Sequence, residues 1–341
     1  MEKIHALLED IYREAGVAGM AVAITDREKT IFEKGFGMEN AERPNVPVTE
    51  NSMFRIASIT KLFTGITILR LVEEGLLSLD APVMTYVPEL QLKDMEAARE
   101  MTLRQLLSHT AGLPVEYTPE GPLDEKQMEA VLLAGLKEAE LIGKPGETYL
   151  YSNWGIRLAS LAAQKVTGKL FSALVQTYVL EPLGMKHTFF DLHTAATYPL
   201  CLPHTEEDGI FRVSHRILEN ATRYAAGGLF SNARDLCVMA RLLLREGAPI
   251  LTRETFAQMQ KRHAETGEIP EGYGITMMQG AFKDSCLYGH LGSAPPYATS
   301  LFVHPDSGYG VVTLLNTYKA DLRLEIPKRI LDSLTERGEA L

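Results

Sequence analysis

Cysteine is scarce. The chain of 341 residues holds three, Cys201, Cys237 and Cys286. They are odd in number, far apart and in no Cys-x-x-Cys pattern, which excludes a disulfide framework and a cysteine zinc site. Excess positive charge is absent too. Against 44 acidic residues stand 34 basic ones, a net charge of -10. That balance argues against a nucleic-acid partner and gives no reason to expect an anionic membrane surface. No window reaches the ~18 uninterrupted apolar residues of a membrane span. The first stretch is no secretory signal either, since Ile4, Leu7, Leu8 and Ile11 form one apolar stripe among charged residues. A cytoplasmic location is the simplest expectation, with a trimmed secreted form as the alternative. Four histidines, His187, His193, His204 and His215, crowd one stretch, but no i,i+4 or His-x-x-x-His spacing relates them, so no metal is expected. Gly-x-Ser-x-Gly occurs nowhere, which removes the strand–turn–helix elbow of the α/β-hydrolases.

What is present reads as an ordinary globular protein, with 45% hydrophobic and 23% charged residues. Gly19 to Thr25 and Thr30 to Met38, joined across Asp26-Arg27-Glu28-Lys29, read as a β-hairpin. From about 75 to 190 the chain reads as helices punctuated by Pro and Gly. Thr102 opens one of them as N-cap, a second runs from Asp124 to Glu140, and a third from Trp154 to Val166 closes at Gly168. Asp208-Gly209 reads as the tip of a hairpin. Asn232 to Glu246 is helical. Cys286 to Gly289, Ala298 to His304 and Tyr309 to Asn316 form a meander, and 321 to 337 a closing helix. Strands at both ends imply one sheet built from distant segments, with a helical insertion between them. The expected division is a sheet domain, 1–75 with 225–341, and a mainly helical domain, 76–224.

The richest stretch is Phe54 to Phe63. Ile59, Leu62, Phe63 and Ile66 recur at i, i+3, i+4 and i+7, the pattern of an amphipathic helix from Ile59 to Glu73, and Gly75 stands just past its end. Ser58 falls at its first turn and Lys61 one turn on, on the same face. A serine nucleophile needs a group to take its proton and donors to hold the oxyanion. A hydroxyl beside an amine, at a helix end with free N–H groups, supplies the first and part of the second. Two further motifs are weak alone. Tyr151-Ser152-Asn153 is the only Tyr-x-Asn, on a loop at a helix start, and taken alone it reads better as a packed tyrosine with an Asn N-cap. His290-Leu291-Gly292-Ser293 lies in a strand run where Gly lets a backbone approach, and taken alone it reads better as a bent strand end.

In this order the three motifs, Ser-x-x-Lys, Tyr-x-Asn and His-x-Gly, resemble those of the serine hydrolases related to class C β-lactamases, D,D-peptidases and the esterases of the same fold. The likeness extends to Leu106 to Pro114, Glu181 to Met185 and Gly227 to Ser231, which look like framework stretches of that family. It implies an α+β fold, a five-stranded antiparallel sheet flanked by helices beside an all-helical region, with the site in the groove between. It implies Ser58 as the acylated nucleophile, Lys61 and Tyr151 as the proton-transfer pair, and Asn153 binding the substrate amide or ester side. His290 would line the opposite wall, with Gly292 beside it. The N–H groups of Ser58 and Ser293 would form the oxyanion hole. No cofactor is implied, and the partner is a small-molecule or peptide substrate.

Which of Lys61 and Tyr151 is the base stays open, since each needs its pKa lowered by roughly three units to act near neutrality. Leu291 stands where relatives often carry a Thr hydroxyl, and His290 where many carry Lys. Both changes weaken the case for a β-lactam or a free peptide C-terminus as substrate. Pro296 stands where relatives commonly have Gly, which reshapes the pocket rim. The readings that follow are a hydrolase of esters or amides, then a D-amino-acid peptidase, a weak β-lactamase or an acyltransferase of the same chemistry. A non-catalytic penicillin-binding protein is the reading from another class.

Overall fold

Alternation along the first strand sets the architecture. Met20, Val22 and Ile24 point to one face of the sheet, Ala21 and Ala23 to the other, and all five are fully buried. A strand apolar on both faces must be covered on both, and it is. In the computed structural model, which describes residues 2–115, 121–215, 217 and 220–336, the helices Glu2–Ala15 and Leu322–Thr335 cover the first face. Ile4, Leu8 and Ile11 of one and Ile326, Ile330 and Leu331 of the other pack there with Val22, Phe302 and Val311. On the second face, Ala21, Ala23, Leu301 and Leu314 meet Leu236, Met239 and Ala240 of the helix Ala233–Leu244.

The sheet is antiparallel throughout its pairings and runs in the order Thr30–Gly37, Gly19–Thr25, Tyr309–Leu315, Tyr297–His304, Ser285–Ala294, Met278–Phe282, Gly272–Tyr273, Ala264–Glu265. It therefore has eight strands, not the five expected. The three additional ones form the far edge. Two of them are only two residues long, too short for any alternation to show, and the third, Met278–Phe282, follows Gly272, Gly274 and a positive φ at Thr276. The expected joining of distant segments holds. Gly19–Thr25 pairs with Tyr309–Leu315, Met20 opposite Leu315 and Thr25 opposite Gly310.

Between these parts the chain is helical, as read from its Pro and Gly punctuation. Thr102 caps Leu103–Leu107 in a reciprocal capping box with Gln105. The segment expected from Asp124 to Glu140 is a 3₁₀ turn, Glu125–Gln127, leading into Met128–Glu138. Asn153–Thr167 ends at Gly168, whose φ of 67° is the left-handed cap that favours glycine. Asp208-Gly209 does turn a hairpin, His204–Glu207 against Ile210–Val213. The closing helix spans Leu322–Thr335, and residue 337 of the expected span lies outside the described residues.

One element departs from its expected character. Thr60–Glu73 is buried on nearly every face as far as Leu69, rather than half-exposed. Its polar side chains are satisfied inside. The Thr67 hydroxyl donates to the Phe63 carbonyl at 2.9 Å, and that of Thr64 to the Ala225 carbonyl at 2.6 Å. Arg70 is the first side chain to reach out. A helix hydrophobic all round is a central helix, so whatever sits at its start is held rigidly.

Candidate active site

The start of that helix is Ser58, in a 3₁₀ turn, Ala57–Ile59, that runs straight into Thr60–Glu73. Ala57 has φ +50°, a left-handed conformation that costs a non-glycine residue ~1 kcal/mol or more and persists only where neighbours impose it. Here they do. The Ile56 N–H donates to the Leu229 carbonyl at 3.0 Å, the Leu229 N–H to Thr60 Oγ1 at 3.2 Å, and the Thr299 hydroxyl to the Ile56 carbonyl at 2.9 Å. Three hydrogen bonds to two distant segments thus fix the turn that presents Ser58.

Lys61 Nζ lies 3.0 Å from Ser58 Oγ and donates to the Ala226 carbonyl at 2.7 Å. The lysine is fully buried. Burial, and then the charge of Arg157, hold its pKa well below the ordinary lysine range. Tyr151 lines the same groove as Ser58, and burial pushes its phenol's pKa up, against the smaller opposing pull of Ser58 and of Arg323. Nζ stands 4.8 Å from the centroid of the Tyr151 ring. Both groups the sequence offered as a base therefore meet the serine.

Tyr151 arrives on the loop that opens Asn153–Thr167, with Ser152, not Asn153, at the cap position. Asn153 is thereby free to face the groove. Its side-chain oxygen is buried with no hydrogen-bond partner among the described residues. Behind Tyr151 lies the tilted ring of His109, centroids 4.3 Å apart, whose Nδ1 accepts the Ser152 N–H at 3.1 Å.

The third motif lies in Ser285–Ala294. The neighbouring strand Met278–Phe282 pairs with it only as far as Gly289. From His290 onward its outer edge has no strand partner among the described residues, and it runs beside the Ala57–Ile59 turn instead. That leaves backbone at Leu291 to Ser293 next to Ser58. Gly292 is required there, since a Cβ would overlap the Ile56 carbonyl oxygen and the Thr299 hydroxyl. Gly292→Ala should consequently push the strand off the serine turn. The expected cost is ~1–3 kcal/mol of stability together with a fall in Ser58 labelling rate, read by thermal denaturation and by timed mass spectrometry.

His290 does not line the groove. It is fully buried beneath it, with Nδ1 2.6 Å from the Leu291 carbonyl and Nε2 2.9 Å from the Tyr273 hydroxyl. A carbonyl only accepts, so Nδ1 carries the proton and Nε2 accepts from Tyr273. Burial, reinforced by the charge of Lys61, brings the His290 pKa down to about 3. The ring is neutral and offers no fixed positive charge.

The groove in front measures about 540 Å³, within the range of small-molecule sites. It is lined by Ser58, Tyr151, Asn153, Leu291 and Ser293, and also by residues no motif announced: Tyr149, Val115, Thr266 to Pro270 apart from Gly267, Met278 and Arg323. Met278 and Arg323 come from a short edge strand and the last helix, and only folding brings them here. The four histidines of the middle stretch are dispersed, His204 accepting the Ala41 N–H, His215 meeting Glu42, His193 Asp191 and His187 Asp235. No helix among the described residues is long and apolar enough to cross a membrane.

A buried lysine and a tyrosine meet one serine at the head of a central helix, with an open strand edge alongside. The chain belongs to the Beta-lactamase family, whose sequence profile matches residues 4–334.

Among individual proteins it is similar to Protein flp of Staphylococcus aureus (strain MW2), 27% identical over 92% of this chain and 63% of that one. The chain thus spans under two thirds of the length of that relative. Its fold is similar to that of the octameric penicillin-binding protein homologue from Pyrococcus abyssi, with a TM-score of 0.83 and 26% identity over 98% of this chain and 77% of that one. It is also similar to the D-amino acid amidase from Ochrobactrum anthropi SV3, with a TM-score of 0.81 and 25% identity over 98% of this chain and 96% of that one.

Proposed function

We propose that the protein is a serine hydrolase that cleaves ester and amide bonds of small acyl compounds through an acyl-enzyme on Ser58. The observation that carries this reading is the 3.0 Å contact between Ser58 Oγ and a buried lysine nitrogen that has no carboxylate beside it among the described residues. A neutral amine has one lone pair. With its hydrogens directed at acceptors such as the Ala226 carbonyl, that lone pair is left for the serine proton. Lys61 is accordingly the base that accepts the Ser58 proton during attack. Tyr151, kept as a neutral phenol by burial, hands a proton to the leaving oxygen or nitrogen and is restored from Lys61. The N–H groups of Ser58 and Ser293 hold the oxyanion, and Gly292 lets the strand come close enough for the second of them. The unpartnered Asn153 oxygen accepts an N–H from the acyl portion of an amide substrate. The relation to a D-amino acid amidase supports including amides.

Intact-mass measurement of the protein with a fluorophosphonate and with short esters and amides tests this. A single adduct mapping to Ser58 is expected. An adduct on any other residue, or turnover without one, overturns the acyl-enzyme.

A pH profile tests the choice of base. Lys61 acts only when neutral, so kcat/KM rises as pH climbs through its pKa and levels off above it. Because burial lowers that pKa, the rise should be complete well below pH ~10. A rise centred near ~10 would mean that Lys61 is charged at neutral pH and that the Tyr151 phenolate takes the proton instead.

A further inference from the structure

We infer that His109 is a positioning residue of the site: it grips the backbone on both sides of Tyr151 and so aims the phenol into the groove beside Ser58. This rests on the hydrolase reading above and names the residue that makes the tyrosine's proton transfer precise.

The stretch Leu106 to Pro114 lies along the segment that carries Tyr151. The Gly146 N–H donates to the Thr110 carbonyl at 2.7 Å, and the Ser152 hydroxyl to the Pro114 carbonyl at 2.7 Å. At the centre of this seam one residue makes two bonds. The Leu150 N–H donates to the His109 carbonyl at 2.8 Å, and the Ser152 N–H to its Nδ1 at 3.1 Å. The amides before and after Tyr151 are thus held by a single residue, whose ring also lies 4.3 Å, centroid to centroid, from the tyrosine ring. With both flanking amides fixed, Tyr151 has little backbone freedom left, and it lines the groove with Ser58.

His109 adopts this role against two costs. Its φ is +59°, a left-handed conformation uncommon for a residue other than glycine. It is also 2% exposed, and an Nδ1 that accepts leaves the proton of the neutral ring on Nε2. That Nε2 is buried with no hydrogen-bond partner among the described residues. Beyond Tyr151 the ring meets the rings of Tyr149 and Tyr273, at 6.0 and 4.7 Å between centroids. A phenylalanine would fill the same space without stranding a buried donor. What histidine adds is the acceptor at Nδ1. That acceptor persists near neutrality, because burial, and then positive charge at Lys61, hold the ring's pKa well below the ordinary imidazole range.

The test separates positioning from simple support by means of the leaving group. In acylation Tyr151 gives a proton to the departing oxygen and recovers one from Lys61. An alkoxide needs that proton and a nitrophenolate does not. The kcat/KM values for benzyl acetate and p-nitrophenyl acetate are measured in the parent, in His109→Phe and in His109→Asn. Phe keeps an aromatic ring and removes the acceptor. Asn places its Oδ1 where Nδ1 stood and tolerates the left-handed φ. A misplaced phenol should lower the benzyl acetate value in His109→Phe by about 10²-fold, and the p-nitrophenyl acetate value by no more than about three-fold. His109→Asn should return both esters to within about three-fold of the parent. An equal fall for both esters in His109→Phe, or no recovery in His109→Asn, overturns the assignment.

A second arm does not depend on turnover. Fluorotyrosine at position 151 gives a fluorine resonance to follow in the full chain with His109, with His109→Asn and with His109→Ala. Both variants lack the imidazole, so its ring current drops out of the comparison between them. The resonance should be one narrow line in the parent and in His109→Asn, and should broaden or split in His109→Ala. Equally narrow lines in both variants overturn the clamp and leave the hydrolase reading standing. If the line broadens in His109→Ala while Tyr151→Phe slows both esters equally, the positioning stands and the acid role of Tyr151 in the hydrolase reading falls.

Discussion

Ser58→Ala should abolish turnover, lowering kcat by about four to six orders of magnitude, and should abolish covalent labelling with it. The size follows from what the change removes. An acyl-enzyme cannot form without the oxygen, and what is left is the binding groove and the oxyanion donors, which alone give modest acceleration. The fold should tolerate the change. Ala fits the 3₁₀ turn, and Lys61 keeps its bond to the Ala226 carbonyl. Thermal denaturation within a few degrees of the parent, beside lost activity, is the expected pair of results. Labelling that persists in this variant would assign the nucleophile elsewhere.

Lys61 and Tyr151 should fail to add. Lys61→Met keeps the volume of the buried side chain and removes its lone pair, and Tyr151→Phe keeps the ring and removes the hydroxyl. Each is expected to cost about 10²–10⁴ in kcat, the usual worth of a positioned proton-transfer group. Both act on the one proton that leaves Ser58, so the double variant should be little worse than the poorer single one. The geometry underlies this expectation, with Nζ 3.0 Å from Ser58 Oγ and 4.8 Å from the centroid of the tyrosine ring. A four-variant cycle of kcat values measures the coupling. Full additivity would separate the two into independent proton paths.

Much of this arrangement was legible in the sequence, because it depends on local spacing. Ser58 and Lys61 are one turn apart in any helix. Thr102, Gly168 and Asp208-Gly209 are local signals with one structural outcome each, and the structure has them. Legibility failed where a side chain's surroundings come from elsewhere. His290 looked like a groove wall and is a buried, neutral partner of Tyr273, a residue in a strand of two positions. Arg323 carries no local signal at all, one basic residue among several on the last helix. The helix after Ser58 looked amphipathic because its threonines look polar, and only the carbonyls of Phe63 and Ala225 show why they are buried. The far edge of the sheet escaped because strands of two residues have no period to read.

The pairing of Gly19–Thr25 with Tyr309–Leu315 has a kinetic consequence. Contacts between residues so distant in sequence are slow to form, since the loop must close before any pairing rewards it. During synthesis the turn holding Ser58 emerges long before Gly292 and Thr299, the residues it must meet. The first hairpin waits with one strand edge bare, a template for mispairing with other chains. Completion of the groove around Ser58 is therefore a late event in the life of the polypeptide. A nascent chain stalled before the final strands would carry Ser58, Lys61 and Tyr151 and still lack a site.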